Sequence, residues 1–487
     1  MQSSHYSTHS PGVARATTRL LLAFGLPLMV SACDPGRDDS GPAPSPYAAL
    51  SAIERIADAP DIAVSEYAAR RTRLAERLPQ GIVLLHARPA EKAMEQWGFV
   101  QDPAFAYFTG LTETPGAIFA MDGAAGEAHL FLPPAPQSFG MTVEGLTAEP
   151  GLATAERLGM TTARPWADFN AFVRGRLRAA ATRLYVDESR RPEATGMPLG
   201  MRPVAGDRTL WHAALEEAFP SARIASAKNA IVELRATKSD AEIALLEVNA
   251  RRTVTSLQAV AQALAPGVRQ RDTEAVMVAA CLAAGGQGPS FWPWTMSGPN
   301  AHTGQLVSAF FRYDQGDRVV EEGDLVRVDI GCAGGGYGAD VGRTLPASGR
   351  FTAGQAEAWD LLIAGYLAGL DAMVDGVAVS EVRGASAGAV RDRQSGLTTA
   401  EGVAAAEAIL EGGDGTWHIH GVGVESGEDL PAVLRTGMVL AYEPGFSVGL
   451  DAFYLEDMIV VTATGHRVLS AGLPYTSAEV VDFMGGR

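Results

Sequence analysis

Cysteine is scarce in this chain: 487 residues contain three, Cys33, Cys281 and Cys332. Three cannot build a disulfide framework, and Cys281 and Cys332 read most simply as buried thiols. Charge is sparse too, at 20% of residues, and unbalanced, with 39 Lys and Arg against 56 Asp and Glu. The resulting net charge of −17 argues against a nucleic-acid partner, because phosphate binding needs clustered basic side chains. No segment after Cys33 has the ~20 consecutive apolar residues of a membrane-spanning helix, and there is no internal repeat. Apolar residues, by contrast, make up 47% of the chain, which excludes a largely disordered one. The length exceeds one ordinary core, so two folded regions are expected.

The first segment reads as an address. Arg15 and Arg19 precede a short apolar run, Leu20 to Val30, interrupted by Pro27. That run is too short to span a bilayer. Val30-Ser31-Ala32-Cys33 resembles a bacterial lipobox, which implies a signal peptide over 1–32 and lipid on Cys33 as the new N-terminus. Acyl chains then supply the membrane affinity, at about 0.8 kcal/mol per buried methylene. Asp34 resembles the residue that retains Gram-negative lipoproteins at the inner membrane. The expected location is therefore the bacterial cell envelope, on the periplasmic side of the inner membrane if the cell is Gram-negative. Residues 33–50, rich in Pro, Gly, Ser and Asp, read as a flexible tether.

Two folded regions follow, expected over 51–235 and 236–480. In the first, a helical pattern through Tyr67, Arg70, Arg71 and Leu74 leads into apolar strands at 81–85, 117–121, 129–132 and 183–186. Alternating strands and helices argue for an α/β domain. A long helix is expected from Ser239 to Leu264, with Ser239 as N-cap, Glu242 three residues on, and Pro266-Gly267 as the stop.

The chemistry lies in short pieces of the second region. Leu325-Val326-Arg327-Val328-Asp329-Ile330 is an apolar strand interrupted by a carboxylate, which is costly to bury unless paired or metal-bound. A glycine-rich turn then leads to Asp340. His418 and His420 sit two apart, on one side of any strand. Glu443 ends one apolar strand, and Glu456 interrupts another. Each piece alone is weak, but together they describe a cluster of hard ligands suited to Mn, Co, Fe or Zn. Several anionic ligands imply more than one metal charge, and two ions about 3.5–4 Å apart support hydrolytic chemistry.

In order and context, VDIG, GADVGRT, HGVG, YEPG and LED resemble the pita-bread metallopeptidases, the group of aminopeptidase P, prolidase and the creatinase relatives. The resemblance extends through Tyr67-x-x-Arg70-Arg71, Asp102 to Leu111, Leu234 to Ile243 and Ser297-Gly298-Pro299-Asn300. It implies an α/β (α+β) chain: a smaller α/β N-terminal domain before a pita-bread catalytic domain with a curved antiparallel sheet. It implies Asp329, Asp340, His420, Glu443 and Glu456 as ligands of two divalent ions, manganese first, with cobalt or zinc as alternatives. Glu443 then relays a proton toward the leaving nitrogen. The implied substrate is a peptide whose first residue precedes proline, and a homo-oligomer is a further implication. Alternatives are a prolidase-like hydrolase of dipeptides or other small substrates, and a non-catalytic binding or scaffold protein.

Three positions depart from the pattern. Arg312 and Gly427 stand where histidines are expected, and Tyr454 where an arginine is expected. His302 and His418 are the candidates to take over the lost proton transfer. Arg312, a permanent cation, suits a substrate carboxylate or an oxyanion but not general base work. Phe291-Trp292-Pro293-Trp294 is a candidate pocket wall.

Overall fold

The computed structural model describes residues 47–88, 99–135, 137–138, 141–142, 148–177, 182–187, 207–302, 308 and 316–485. Cys33, most of the tether and Arg312 lie outside the described residues. No described helix is long and apolar enough to cross a membrane.

The first region forms as its pattern predicts. Helix α1 (Val64–Arg77) buries Arg70, Arg71, Leu74 and Ala75 along one stripe. Short helix α2 (Pro103–Thr109) is set by Asp102, which accepts from the Phe105 N–H at 3.0 Å, and is stopped by Gly110 at φ 71°. That is an acidic N-cap, proline in the first turn and a left-handed glycine at the end. Strands β1 (Gly81–His86), β2 (Ile118–Asp122) and β3 (Glu127–Leu132) form an antiparallel meander. Strand β4 (Thr162–Pro165) joins it parallel to β3, while β5 (Arg183–Val186) and β6 (Arg223–Ser226) extend it beyond β1. Alternation splits β1 between two cores: Val83 and Leu85 join Leu74, Phe105 and Phe108, while Ile82 and Leu84 join Phe169, Phe172 and Phe219. Both faces are covered, which is why these strands read as unbroken apolar runs.

Helix α3 (Lys228–Ala236) leads into α4 (Asp240–Ala263), whose Ser239 and Glu242 form the expected capping box. Helix α5 (Gln270–Ala283) packs against α4. The second sheet is antiparallel and curled, in the order β7 (Trp294–Ser297), β8 (Leu325–Ile330), β9 (Val341–Pro346), β12 (Asp451–Thr462), β11 (Val439–Val448), β10 (Trp417–Gly421). Strand β13 (Gly465–Val468) pairs with β12. Val326, Val328 and Ile330 of β8 enter one large core with Trp359, Tyr366 and Leu455. Alternation turns Arg327 and Asp329 to the opposite face. Cys281 of α5 and Cys332, three residues after Asp329, are both buried as expected, but they form a pair with Cα atoms 5.8 Å apart.

Buried charges join the two regions. Arg235 at the end of α3 donates to Glu428 at 2.6 Å and to Glu425 at 2.9 Å, and Lys238 donates to Glu428 at 2.9 Å. Glu428 in turn forms a bridge with Gly421, the residue after His420. Burial alone would raise the Glu428 pKa, but the two cations outweigh it and hold the group at about 2. A depressed carboxylate stabilises the fold above its unfolded value of 4.5 and loses that contribution as pH falls toward 2. Between pH 5 and 2.5, denaturant unfolding is expected to show wild type losing about 2–3 kcal/mol more than Glu428→Gln.

Candidate metal centre

Register brings the candidate ligands together. Asp329 on β8 lies opposite Gly342 on β9, and Gly342 lies opposite Glu456 on β12. Glu443 interrupts the next ladder, between the Tyr442–Asp457 and Gly445–Tyr454 pairs, where the stretch carrying Glu456 runs opposite. His418 on β10 pairs with Glu443, and His420 with Ala441. Asp340 comes from the turn just before β9. Five residues spread over more than a hundred positions thus share one concave face.

Distances are short. His420 Nε2 lies 3.2 Å from Glu443 Oε1, 3.7 Å from Glu456 Oε1 and 3.9 Å from Asp340 Oδ2. Its Nδ1 lies 3.0 Å from the Gly421 carbonyl oxygen. That contact makes Nδ1 the protonated nitrogen and leaves the Nε2 lone pair for the cluster. Two groups could each hold an ion, His418–His420–Glu443 and Asp340–His420–Glu456. Asp329 is engaged separately: Arg327 donates to its Oδ2 at 2.8 Å.

The electrostatics fit a missing positive charge. Burial first, then the charges of Glu456 and Asp329, raise the Asp340 pKa well above the carboxylate range. Burial and the neighbouring Glu443 push Glu456 up to about 7. Glu456 Oε1 is buried with no hydrogen-bond partner. A divalent cation held there would satisfy that oxygen and reverse both shifts, because its charge opposes protonation. The donors, four carboxylates and an imidazole, suit such ions.

The remaining candidates divide. His418 is on the site, with Nδ1 2.5 Å from Glu443 Oε1 and more than half of its side chain exposed. Burial alone would raise the Glu443 pKa, but its hydrogen bonds to His418 and His420 hold it far below the usual range. His302 is not among the groups gathered around His420. Its neighbour Ala301 packs against Ala452, and His302 acts electrostatically on Asp451. Asp451 opens β12 five residues before Glu456, about 16 Å along an extended strand. Of the aromatic run, Trp294 is buried opposite Asp329, whereas Trp292 is half-exposed beside Arg271. Asp457, next to Glu456 in sequence, faces the helices and is neutralised by Arg343 at 3.0 Å.

Sequence reasoning passed over Arg327 as a site residue and treated Tyr454 only as a departure. The Tyr454 hydroxyl lies 2.6 Å from Glu456 Oε2 and 3.1 Å from Glu443 Oε2. Arg327 stacks 3.6 Å above its ring. A period-two reading would have found both, because each lies two residues before a ligand.

A curled antiparallel sheet lined by carboxylates and one inward imidazole lone pair defines a metallopeptidase-type centre. Residues 244–463 match the model of metallopeptidase family M24, and residues 67–185 match the aminopeptidase P N-terminal domain. Together the two matches make the chain similar to aminopeptidase P proteins in both of its regions. The Xaa-Pro aminopeptidase of Escherichia coli (strain K12) is 26% identical, covering 87% of this chain and 98% of that protein. The mitochondrial intermediate cleaving peptidase 55 of Arabidopsis thaliana is 23% identical, covering 90% and 86%. The fold is also that of a Bacillus anthracis chain described as a putative aminopeptidase P, with TM-score 0.70, 22% identity and coverage of 87% and 98%. Aminopeptidase P from E. coli with the inhibitor Pro-Leu superposes with TM-score 0.68, 23% identity and coverage of 88% and 99%.

Proposed function

We propose that this chain is a metal-dependent aminopeptidase that removes an N-terminal residue preceding proline. The observation that carries the reading is the convergence of three carboxylates, Asp340, Glu443 and Glu456, on His420 Nε2, with Glu456 Oε1 buried and without a hydrogen-bond partner. The full-length likeness to Xaa-Pro aminopeptidases supports the substrate class.

Asp329, Asp340, His420, Glu443 and Glu456 hold two divalent ions in this reading, manganese first and cobalt or zinc as alternatives. The chemistry such ions would supply there is polarisation of a peptide carbonyl and a lowered pKa for a bound water. The protein supplies the rest. Gly421 fixes the His420 tautomer, and burial excludes bulk water from Asp340 and Glu456. Glu443 and His418 form a proton path: Glu443 Oε1 faces the site, and His418 connects that oxygen to solvent. A histidine with one side in water can carry a proton to a leaving amine, help typically worth about 10²–10⁴-fold. We place the chain at the cell envelope, anchored through Cys33, a reading supported by the lipobox-like Val30 to Cys33.

A second reading, hydrolysis of Xaa-Pro dipeptides, is favoured by Gly427, around which a side chain would find open space. Protein stripped with chelator and reloaded with Mn, Co or Zn is expected to release the first residue from an Xaa-Pro-Xaa peptide only after reloading. Turnover confined to Xaa-Pro dipeptides would favour the second reading. Two bound metals without turnover on either substrate would remove both.

A further inference from the structure

The ligand row rests on a second row of side chains one strand step away. Arg327 precedes Asp329 by two residues on β8, and Tyr454 precedes Glu456 by two on β12, so both face the cluster. Between them lies Gly342 on β9, where an added Cβ would run into the Tyr454 ring and crowd the Val328 carbonyl oxygen. The missing side chain at Gly342 is what lets the ring lie flat beneath Asp329 and Glu456. From there the phenol reaches Glu443 and Glu456, while Thr344 Oγ1 donates to the Tyr454 carbonyl oxygen at 3.1 Å and accepts from its N–H at 2.8 Å. Arg327 is mostly buried, stacked on the ring, with one donor on Asp329 and its Nε without a hydrogen-bond partner. One guanidinium and one phenol therefore contact three of the four carboxylates.

We propose that Tyr454 and Arg327 are positioning residues that hold Glu443, Glu456 and Asp329 in the geometry a pair of divalent ions requires. The inference rests on the metal-dependent reading of the site. A carboxylate with free rotamers pays ordering entropy when it binds an ion, and one already hydrogen-bonded on its outer oxygen does not. Tyr454 shares its one O–H between the outer oxygens of the two glutamates, mainly with Glu456, leaving Glu456 Oε1 and Glu443 Oε1 toward His420. Arg327 donates to Asp329 Oδ2 and keeps the ring from tilting. Outer partners of this kind are typically worth about 10–100-fold in metal affinity.

The test is a titration of the metal-free protein with Mn²⁺, reading free manganese by electron paramagnetic resonance, in wild type, Tyr454→Phe, Arg327→Met and Arg327→Lys. Tyr454→Phe keeps the ring and the stack and loses only the hydroxyl. Its manganese affinity is expected to fall about 10–100-fold, with an unchanged circular dichroism spectrum and melting curve for the metal-free protein. Arg327→Met is expected to bind manganese more weakly, and Arg327→Lys to recover part of the loss. A structural role alone would move the melting curve, not the affinity at constant fold. Equal affinity in wild type and Tyr454→Phe overturns the proposal, as does tighter binding in Arg327→Met, which would make Arg327 a built-in rival to the metal. Wild type that binds no manganese, cobalt or zinc would remove the metal reading itself.

Discussion

Asp340→Asn is expected to lower turnover by about 10³-fold or more and, in the same molecule, to raise the melting temperature of the metal-free protein. The two effects share one cause. Asp340 is buried among Glu456, Asp329 and Glu443, and its pKa is raised first by burial and then by those like charges. Without an ion, repulsion from these neighbours inside a low-dielectric pocket penalises its ionised form. Asparagine keeps the shape and removes that repulsion. It is also a poorer ligand, so the carbonyl polarisation a bound ion supplies is lost. That effect is worth several kcal/mol, and about 4 kcal/mol corresponds to 10³-fold. Activity on an Xaa-Pro-Xaa peptide and a melting curve in chelator measure the two effects. A destabilised metal-free variant would count against the repulsive cluster.

Arg70→Ala is expected to cost about 3–5 kcal/mol of stability, the range for breaking a buried ion pair from one side. The Arg70 side chain is wholly buried and lies 3.3 Å from Glu242 Oε2. It also donates to Glu66, to the Tyr107 carbonyl oxygen at 3.1 Å and to the Tyr337 hydroxyl at 3.4 Å. Glu242 is nearly as buried and accepts from the Tyr337 hydroxyl at 2.9 Å. Removing the cation strands a carboxylate at the junction of the two regions. Because Tyr337 lies in the connection between Asp329 and Asp340, three residues before Asp340, metal affinity is expected to fall as well. In denaturant unfolding, adding Glu242→Gln to Arg70→Ala is expected to recover part of the loss. Simple additivity of the two substitutions would mean that the pair does not act as a unit.

Much of this was legible in the linear chain. The carboxylates in apolar strands were conspicuous because nothing else explains a charge in a Val- and Ile-rich setting. The Ser239–Glu242 capping box is local chemistry, complete within four residues, and it forms as read. His302 illustrates the opposite case. It lies close to the Ser297–Asn300 loop in sequence, but the strand opposite that loop offers Asp451 and Ala452 rather than the cluster. Sequence proximity carried no information about which end of the sheet the loop meets. Arg327 and Tyr454 were missed because an arginine in a strand and a tyrosine near a glutamate are ordinary. Only the juxtaposition across Gly342 makes them a pair.

The sequence by itself determined what depends on neighbours along the chain: helix ends, strand faces and the donor types available for a hard cation. Period-two alternation decided that Asp329 and Arg327, or Glu456 and Tyr454, share a face, and that Asp457 turns to the other. The tertiary structure decided register, which is set by pairing between strands far apart in the chain. It placed His418 against Glu443, Gly342 between Asp329 and Glu456, and Arg343 on Asp457. The physical reason is that a cross-strand neighbour is chosen by the packing of the whole sheet on its helices. No local preference encodes which cation will neutralise which carboxylate, or which carboxylates will be left for a metal.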